Sequence, residues 1–399
     1  MVGRRLLTPL LAALVVVALV FGVWAGGHPG ILPGFARDAL VGDEDAQVFD
    51  DAMDRITSDY YKKVDRDDLL NASLDAAVKS LNDRFSKYID PKEYRAFQES
   101  TNGAFEGVGL NVEEVPQGLR VLTVFDGGPA DKAGIEEGDR IVAVDDQSIE
   151  GKSSDASTGM IKGPAGTSVR LRLRTKAGEV REVRLKRARV AVPVSEGEMV
   201  RRDGDEFAHV SLAQFTSGAH GAVGEKVRDL IKRGAKGVVL DLRDNGGGLL
   251  EEGVLVSSIF IPEGTVVTTR GRNRPERTFT ASGDAINPKV PVVVLVNGNT
   301  ASASEIVTGA LQDRDRATVV GTKTFGKGVF QEIESLENGG ALDITVGEYF
   351  TPKGRNLGPR NGRPGGIQPD VRAEDDPKTP RRDEALDKAL DVLAQQSGG

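Results

Sequence analysis

NGNTASASEIVTGALQDRDRATVVGTKTFGKGVFQ, residues 297–331, follows directly on an apolar run at 292–296. After a turn of small residues, Ser302-Ala303-Ser304-Glu305 opens a segment with helical apolar spacing, so a strand, a turn and a helix start succeed one another. A second apolar run, 317–320, leads to the glycine-flanked Lys327 and, four positions on, to Gln331. A serine at a helix N-terminus and a lysine in a glycine loop meet the needs of a serine hydrolase that works without histidine.

Working outward, strand and helix patterns alternate. A β-like run at 207–212 precedes a helical pattern at 223–231, closed by Lys232-Arg233-Gly234. Residues 237–242 form a continuous apolar strand suited to burial on both faces. Arg243-Asp244-Asn245-Gly246-Gly247-Gly248 follows, and 249–260 is helical again. Residues 263–287 read as a long, charged, exposed loop that either lines the entrance to the site or is mobile. A strand at 341–349, a turn-rich stretch at 351–369 and a short amphipathic helix at 383–393 complete the pattern. The expectation is an α/β catalytic core with a mixed sheet and flanking helices over 191–380, then a C-terminal helix and tail over 381–399.

A length of 399 residues gives a prior of two or three domains, and 39% hydrophobic residues suffice for their cores. The net charge of -8 leaves no basic surplus for phosphates and argues against a nucleic-acid binder. With no cysteine there is no disulfide framework and no thiolate nucleophile. The three histidines, His28, His209 and His220, lack metal-ligand spacing, and His209 reads as a half-buried strand residue.

Arg4 and Arg5 precede 6–25, about twenty uncharged residues, long enough to cross a membrane. Segment 1–25 is expected to be a transmembrane anchor or signal segment, with an uncleaved anchor preferred because 22–26 fits a cleavage site poorly. The remaining chain is then extracytoplasmic, on a Gly/Pro-rich linker at 26–42. Apolar residues at helical spacing over 43–100 predict two or three short helices whose role is packing or homo-oligomer formation.

Over 101–190, β-type runs alternate with turn signals. Gly107-Val108-Gly109-Leu110, then Gly127-Gly128-Pro129-Ala130, then Gly134-Ile135-Glu136-Glu137-Gly138-Asp139-Arg140-Ile141, resemble a PDZ domain. That resemblance implies that 107–110 presents backbone N–H groups to the free C-terminal carboxylate of a protein substrate, which adds a strand to the sheet edge.

At about 100° per residue, Ser302 and Ser304 point about 200° apart, so one faces the site and the other packs inside. The Ala303 N–H, at the helix start, is a candidate oxyanion donor, and the 245–248 turn, with Gly246 and Gly247, is the source of a second. Lysine serves as a base only when neutral, which requires apolar burial; Phe325, Val329 and Phe330 are the expected surroundings. Strand alternation from Lys327 puts Gln331 on its side, where it can orient the amine.

Residues 300–306 (TASASEI), 324–331 (TFGKGVFQ), 240–248 (LDLRDNGGG), 349–355 (YFTPKGR) and 366–370 (GIQPD) together resemble the carboxyl-terminal processing peptidases, or tail-specific proteases. In that family the nucleophile precedes the lysine by 25 positions, which selects Ser302, and a glutamine follows the lysine by four, which Gln331 meets. The resemblance implies an exported Ser-Lys endopeptidase that grips substrate tails in its PDZ module. No metal or nucleotide cofactor is implied, and adaptor partners are open. Two other readings compete with this one. Residues 321–327 mimic a phosphate-binding loop, but Gly328 stands where a Ser or Thr is needed and strand rather than helix follows. A catalytically silent PDZ adaptor would have no use for Ser302, Lys327 and Gln331 together.

Overall fold

The computed structural model describes residues 44–360, 362, 364–379 and 382–397, so the expected membrane segment and linker lie outside the described residues. No helix among the described residues is long and apolar enough to cross a membrane. The chain divides into two compact units at Asn82 and Asp83.

In the first unit, helices Glu44–Asp59 and Arg66–Lys79 are joined by Arg66, whose guanidinium bridges Asp50 and Asp54. Asp65 starts the second helix by accepting the Asp67 N–H.

The second unit holds the α/β core and the PDZ module. Its main sheet has six strands in the order Ser195–Arg202, Asp205–Leu212, Val238–Asp241, Val292–Val296, Thr318–Gly321 and Val371–Arg372. The first pair is antiparallel and the rest are parallel, which makes the sheet mixed. Every side chain of Val292–Val296 is buried. Val292, Val294 and Val296 face helices Ala219–Lys232, Leu250–Ser258 and Ala303–Asp313, whereas Val293 and Leu295 face the C-terminal helix Glu384–Ser397. A strand covered on both faces has no use for polar alternation, which explains the unbroken VVVLV.

A second, antiparallel sheet was not expected. The stretch read as an exposed loop is a hairpin, Thr265–Gly271 with Arg274–Thr280, and it pairs with Ala341–Phe350. Val266, Val267 and Thr269 point inward, and the charges that suggested a loop lie on the open face and in the turn. Val329–Ser335 and the three-residue strand Lys87–Ile89 also pair with Ala341–Phe350.

The PDZ module is a six-stranded sheet whose path runs Leu110–Val115, Gly118–Val124, Arg140–Val144, Ser168–Arg174 and Val180–Lys186, with Gln147–Ser148 added to the third. Its own core gathers Leu119, Ile141, Leu171 and Leu173. A two-stranded ribbon, Ala104–Gly107 with Ala188–Ala191, forms both its entry and its exit.

Candidate active site

Three loops leave the carboxyl ends of adjacent parallel strands: 242–249 after Val238–Asp241, 297–302 after Val292–Val296, and 322–328 after Thr318–Gly321. In open α/β sheets this is where ligands bind. The loops are tied together by backbone and short polar side chains. Asn297 and Asn299 hold Asp244 through bonds of 3.0 and 2.8 Å, and Thr300 Oγ1 donates to Leu242 O at 2.8 Å. The Ala301 N–H and Ser304 Oγ both donate to Asn245 O, at 3.0 and 2.9 Å.

Ser304 is therefore fully buried and its hydroxyl is committed. Ser302 is half-exposed at the N-cap of Ala303–Asp313, with φ 59° and ψ -118°. A non-glycine residue at positive φ persists only where its surroundings over-determine it, and such strain gathers at functional sites.

Glu305, three positions on, is fully buried and accepts four hydrogen bonds. Its Oε2 takes the N–H of Ser302 at 3.0 Å and of Lys327 at 2.9 Å; its Oε1 takes the Gly326 N–H at 2.8 Å and Thr324 Oγ1 at 2.6 Å. Burial pushes this carboxyl above its ordinary value, while the four donors favour the anion. Sequence reading passed over Glu305; its place at N3 of a helix starting with serine was the available signal.

Burial pulls the Lys327 amine below its ordinary value, against the charges of Asp343, Asp83 and Glu305, which draw it back up. Its Nζ lies 5.2 Å from the centre of the Phe85 ring. Phe325, one of the expected apolar neighbours, is instead 45% exposed, under the guanidinium of Arg84. The loop carrying Lys327 fits flush against Asn356, Gly358, Gly365 and Gly366: a Cβ on Gly328 would stand 2.1 Å from the Gly358 nitrogen. Tyr349 OH and Asn356 Nδ2 donate to the carbonyls of Lys327 and Gly328.

The backbone N–H groups of Ser302 and Lys327 meet at Glu305 Oε2, and among the described residues no hydrogen bond joins Ser302 Oγ to Lys327 Nζ. Gln331 donates to Thr345 Oγ1 at 3.0 Å, and the Thr345 N–H donates to Ser86, which also bonds Asp83. The strand that carries Gln331 begins only at Val329, so Lys327 lies outside its alternation; opposite Phe330 and Gln331 the register skips Val346 of the partner strand. Of the expected oxyanion donors, Gly247 is engaged: its N–H donates to Asn245 Oδ1 at 2.9 Å. The Ala303 and Gly246 N–H groups have no partner among the described residues. Gly247 contributes closeness instead, since a Cβ there would stand 2.8 Å from Ser302 Cβ.

In the PDZ module, Gly107 ends a strand and Gly109 has φ 83°. The Ala130 N–H donates to Val108 O at 2.8 Å, and the N–H groups of Val108 and Gly109 have no partner among the described residues. Leu110–Val115 is an edge strand, and with Ile161 it borders a pocket of about 50 Å³. His209 bridges Glu198 and Asp241, and Asp241 in turn binds Arg243, which reaches Asp383. A wider cleft of about 840 Å³ opens near Val292 and Thr318, at the opposite ends of the strands from Ser302.

Residues 206–373 match the model of peptidase family S41, and residues 120–175 that of a PDZ domain. The carboxyl-terminal-processing protease of Synechocystis is 36% identical over 289 residues, 71% of this chain and 67% of that protein. The carboxy-terminal processing protease CtpA of Bacillus subtilis is 32% identical over 361 residues, 90% of this chain and 75% of that protein. Among solved structures, the photosystem II D1 C-terminal processing protease is 30% identical, with a TM-score of 0.49 over 88% of this chain and 97% of that one. Likeness sustained from the PDZ module through the three loops of the core shows that this chain belongs to the carboxyl-terminal processing proteases of peptidase family S41, serine peptidases with a PDZ domain.

Proposed function

We propose that Ser302 is the nucleophile and Lys327 the general base of an exported endopeptidase that recognises substrate tails through residues 107–110. The observation that carries the assignment is the contrast between the serines. Ser304 Oγ is spent on Asn245, whereas Ser302 is strained, half-exposed and beside an unpartnered Ala303 N–H.

In this reading the Lys327 side chain leaves the Phe85 ring and reaches Ser302 Oγ once substrate is bound. Neutral Lys327 takes the hydroxyl proton as Oγ attacks the scissile carbonyl. The Ala303 and Gly246 N–H groups stabilise the oxyanion; one such donor typically lowers the barrier by about 3–4 kcal/mol. The ammonium then gives its proton to the leaving amine, and water, activated by the lysine, frees the acyl group. Gln331 would steady the amine through its amide oxygen, which has no partner among the described residues.

The free tail carboxylate would dock on the Val108 and Gly109 N–H groups, with the tail paired to edge strand 110–115. Tail binding is proposed to complete the alignment of the lysine. The test compares an unstructured substrate having a free apolar C-terminus with its amidated twin, using wild type, Lys327→Ala and Gln331→Ala. Rapid cleavage of the free-tailed form only, abolished in Lys327→Ala and reduced in Gln331→Ala, is expected; equal cleavage of both twins would refute tail recognition. Export and anchoring rest on Arg4, Arg5 and the uncharged stretch after them. Release of the protein from cell membranes by an alkaline wash would count against an anchor.

A further inference from the structure

A groove of about 560 Å³ runs along the PDZ module behind the tail loop, between residues 126–133 and the strands at 184–191. Four exposed cations line it: Lys132, Arg184, Lys186 and Arg189. Among the described residues none of the four side chains has an ion-pair or hydrogen-bond partner. Four other arginines of the module are paired, Arg120 with Glu113, Arg170 with Asp146, Arg172 with Glu182 and Arg181 with Asp139. Asp126 also lines the groove but pairs with none of its four cations, so in a chain of net charge -8 four cations against one carboxylate make a local concentration of positive charge.

Two features define the ligand. The floor is backbone and apolar carbon, with Leu185 and Val190 buried beneath it, so the cations rim a depression rather than project from a flat face. A depression suits an extended chain; a bilayer surface would meet projecting side chains. No aromatic side chain lines it to stack on a base, which disfavours single-stranded nucleic acid. The groove also backs onto the tail loop: a Cβ on Gly109 would lie 3.5 Å from Gly128 Cα and from Val190 Cγ1, both in groove-lining residues.

We propose that this groove is a second polypeptide-binding site of the protease, taking an acidic stretch of an unfolded substrate. It is distinct from the site for the free carboxylate and does not depend on it. A substrate carrying acidic residues engages the module at two places, and the second contact raises affinity most at low ionic strength.

The full chain is titrated with a fluorescent ten-residue Glu/Gly peptide whose C-terminus is amidated, which leaves nothing for the tail loop to grip. Binding at about 50 mM salt is expected to weaken at least about tenfold in Arg184→Gln/Lys186→Gln/Arg189→Gln, and similarly at about 300 mM salt in wild type. A Lys/Gly peptide of the same length is expected not to bind, and an apolar peptide with a free carboxylate to bind wild type and variant equally. Should the triple variant melt early, Lys132→Gln on the opposite wall is read the same way, with a loss of about threefold expected. Unchanged affinity in these variants, or no binding by wild type, overturns the proposal. So does binding of phosphatidylglycerol vesicles without binding of the acidic peptide, which would make the groove a membrane contact. Loss of the free-tailed peptide alone, with acidic binding intact, would count against the tail-loop reading and leave this site standing.

Discussion

Glu305 and Lys327 lie 22 positions apart in sequence and are joined directly, the carboxylate Oε2 accepting the lysine N–H at 2.9 Å. Because the same oxygen also takes the Ser302 N–H at 3.0 Å, one buried carboxylate sets the spacing between the two loops that carry the proposed dyad. All four groups around it are donors. Glu305→Gln turns an amide NH₂ toward two of them and leaves buried polar groups unpaired, at a cost of about 1–3 kcal/mol. Turnover is expected to fall at least about tenfold with modest loss of stability, because a misplacement of about 1 Å costs far more in rate than in folding. A Glu305→Gln enzyme as active as wild type would show that the carboxylate does not position the site.

Gly326 and Gly204 share a left-handed backbone, with φ of 89° and 90°. They differ in what a side chain would meet. A Cβ on Gly326 would stand 2.6 Å from the Gly365 carbonyl carbon, whereas Gly204 faces open space. Both alanine variants carry backbone strain of about 1 kcal/mol, but only Gly326→Ala must shift the Lys327 loop. Comparable melting temperatures, with activity lost in Gly326→Ala alone, is the expected pair of results.

The lysine's protonation gives a pH test with a definite sign. Burial lowers its pKa, and the charges of Asp343, Asp83 and Glu305 raise it again. If neutral Lys327 is the base, kcat/KM rises with pH through that value. Asp343→Asn removes one charge that favours the ammonium, so the rising limb should move to lower pH. A limb that stays in place or moves upward would separate the lysine from the rate.

The site was legible in sequence where it depends on local geometry. Helical spacing alone required one of Ser302 and Ser304 to be internal, and Ser304 is. Burial of the parallel strands was plain from VVVLV for the same reason. What comes from far along the chain was not readable. The ring beside Lys327 is Phe85, delivered by a strand of three residues, Lys87–Ile89, too short to show a period of its own. The hairpin at 265–280 was hidden differently: its first strand, TVVTTRG, does not alternate, with Val266 and Val267 both buried at a register shift, and the arginines and glutamate of its second strand made it look like a loop. Gln331 was placed beside Lys327 by a parity count that starts two residues before the strand does, at Val329.

The most direct test of the central assignment compares Ser302→Ala with Ser304→Ala, measuring cleavage of a free-tailed unstructured substrate by product mass and stability by melting. Ser302→Ala is expected to lose activity by several orders of magnitude while melting like wild type, and Ser304→Ala to keep much of its activity while losing about 1–2 kcal/mol from the broken bond to Asn245. An inactive but stable Ser304→Ala beside an active Ser302→Ala would contradict the assignment and require the nucleophile to lie one helical face away.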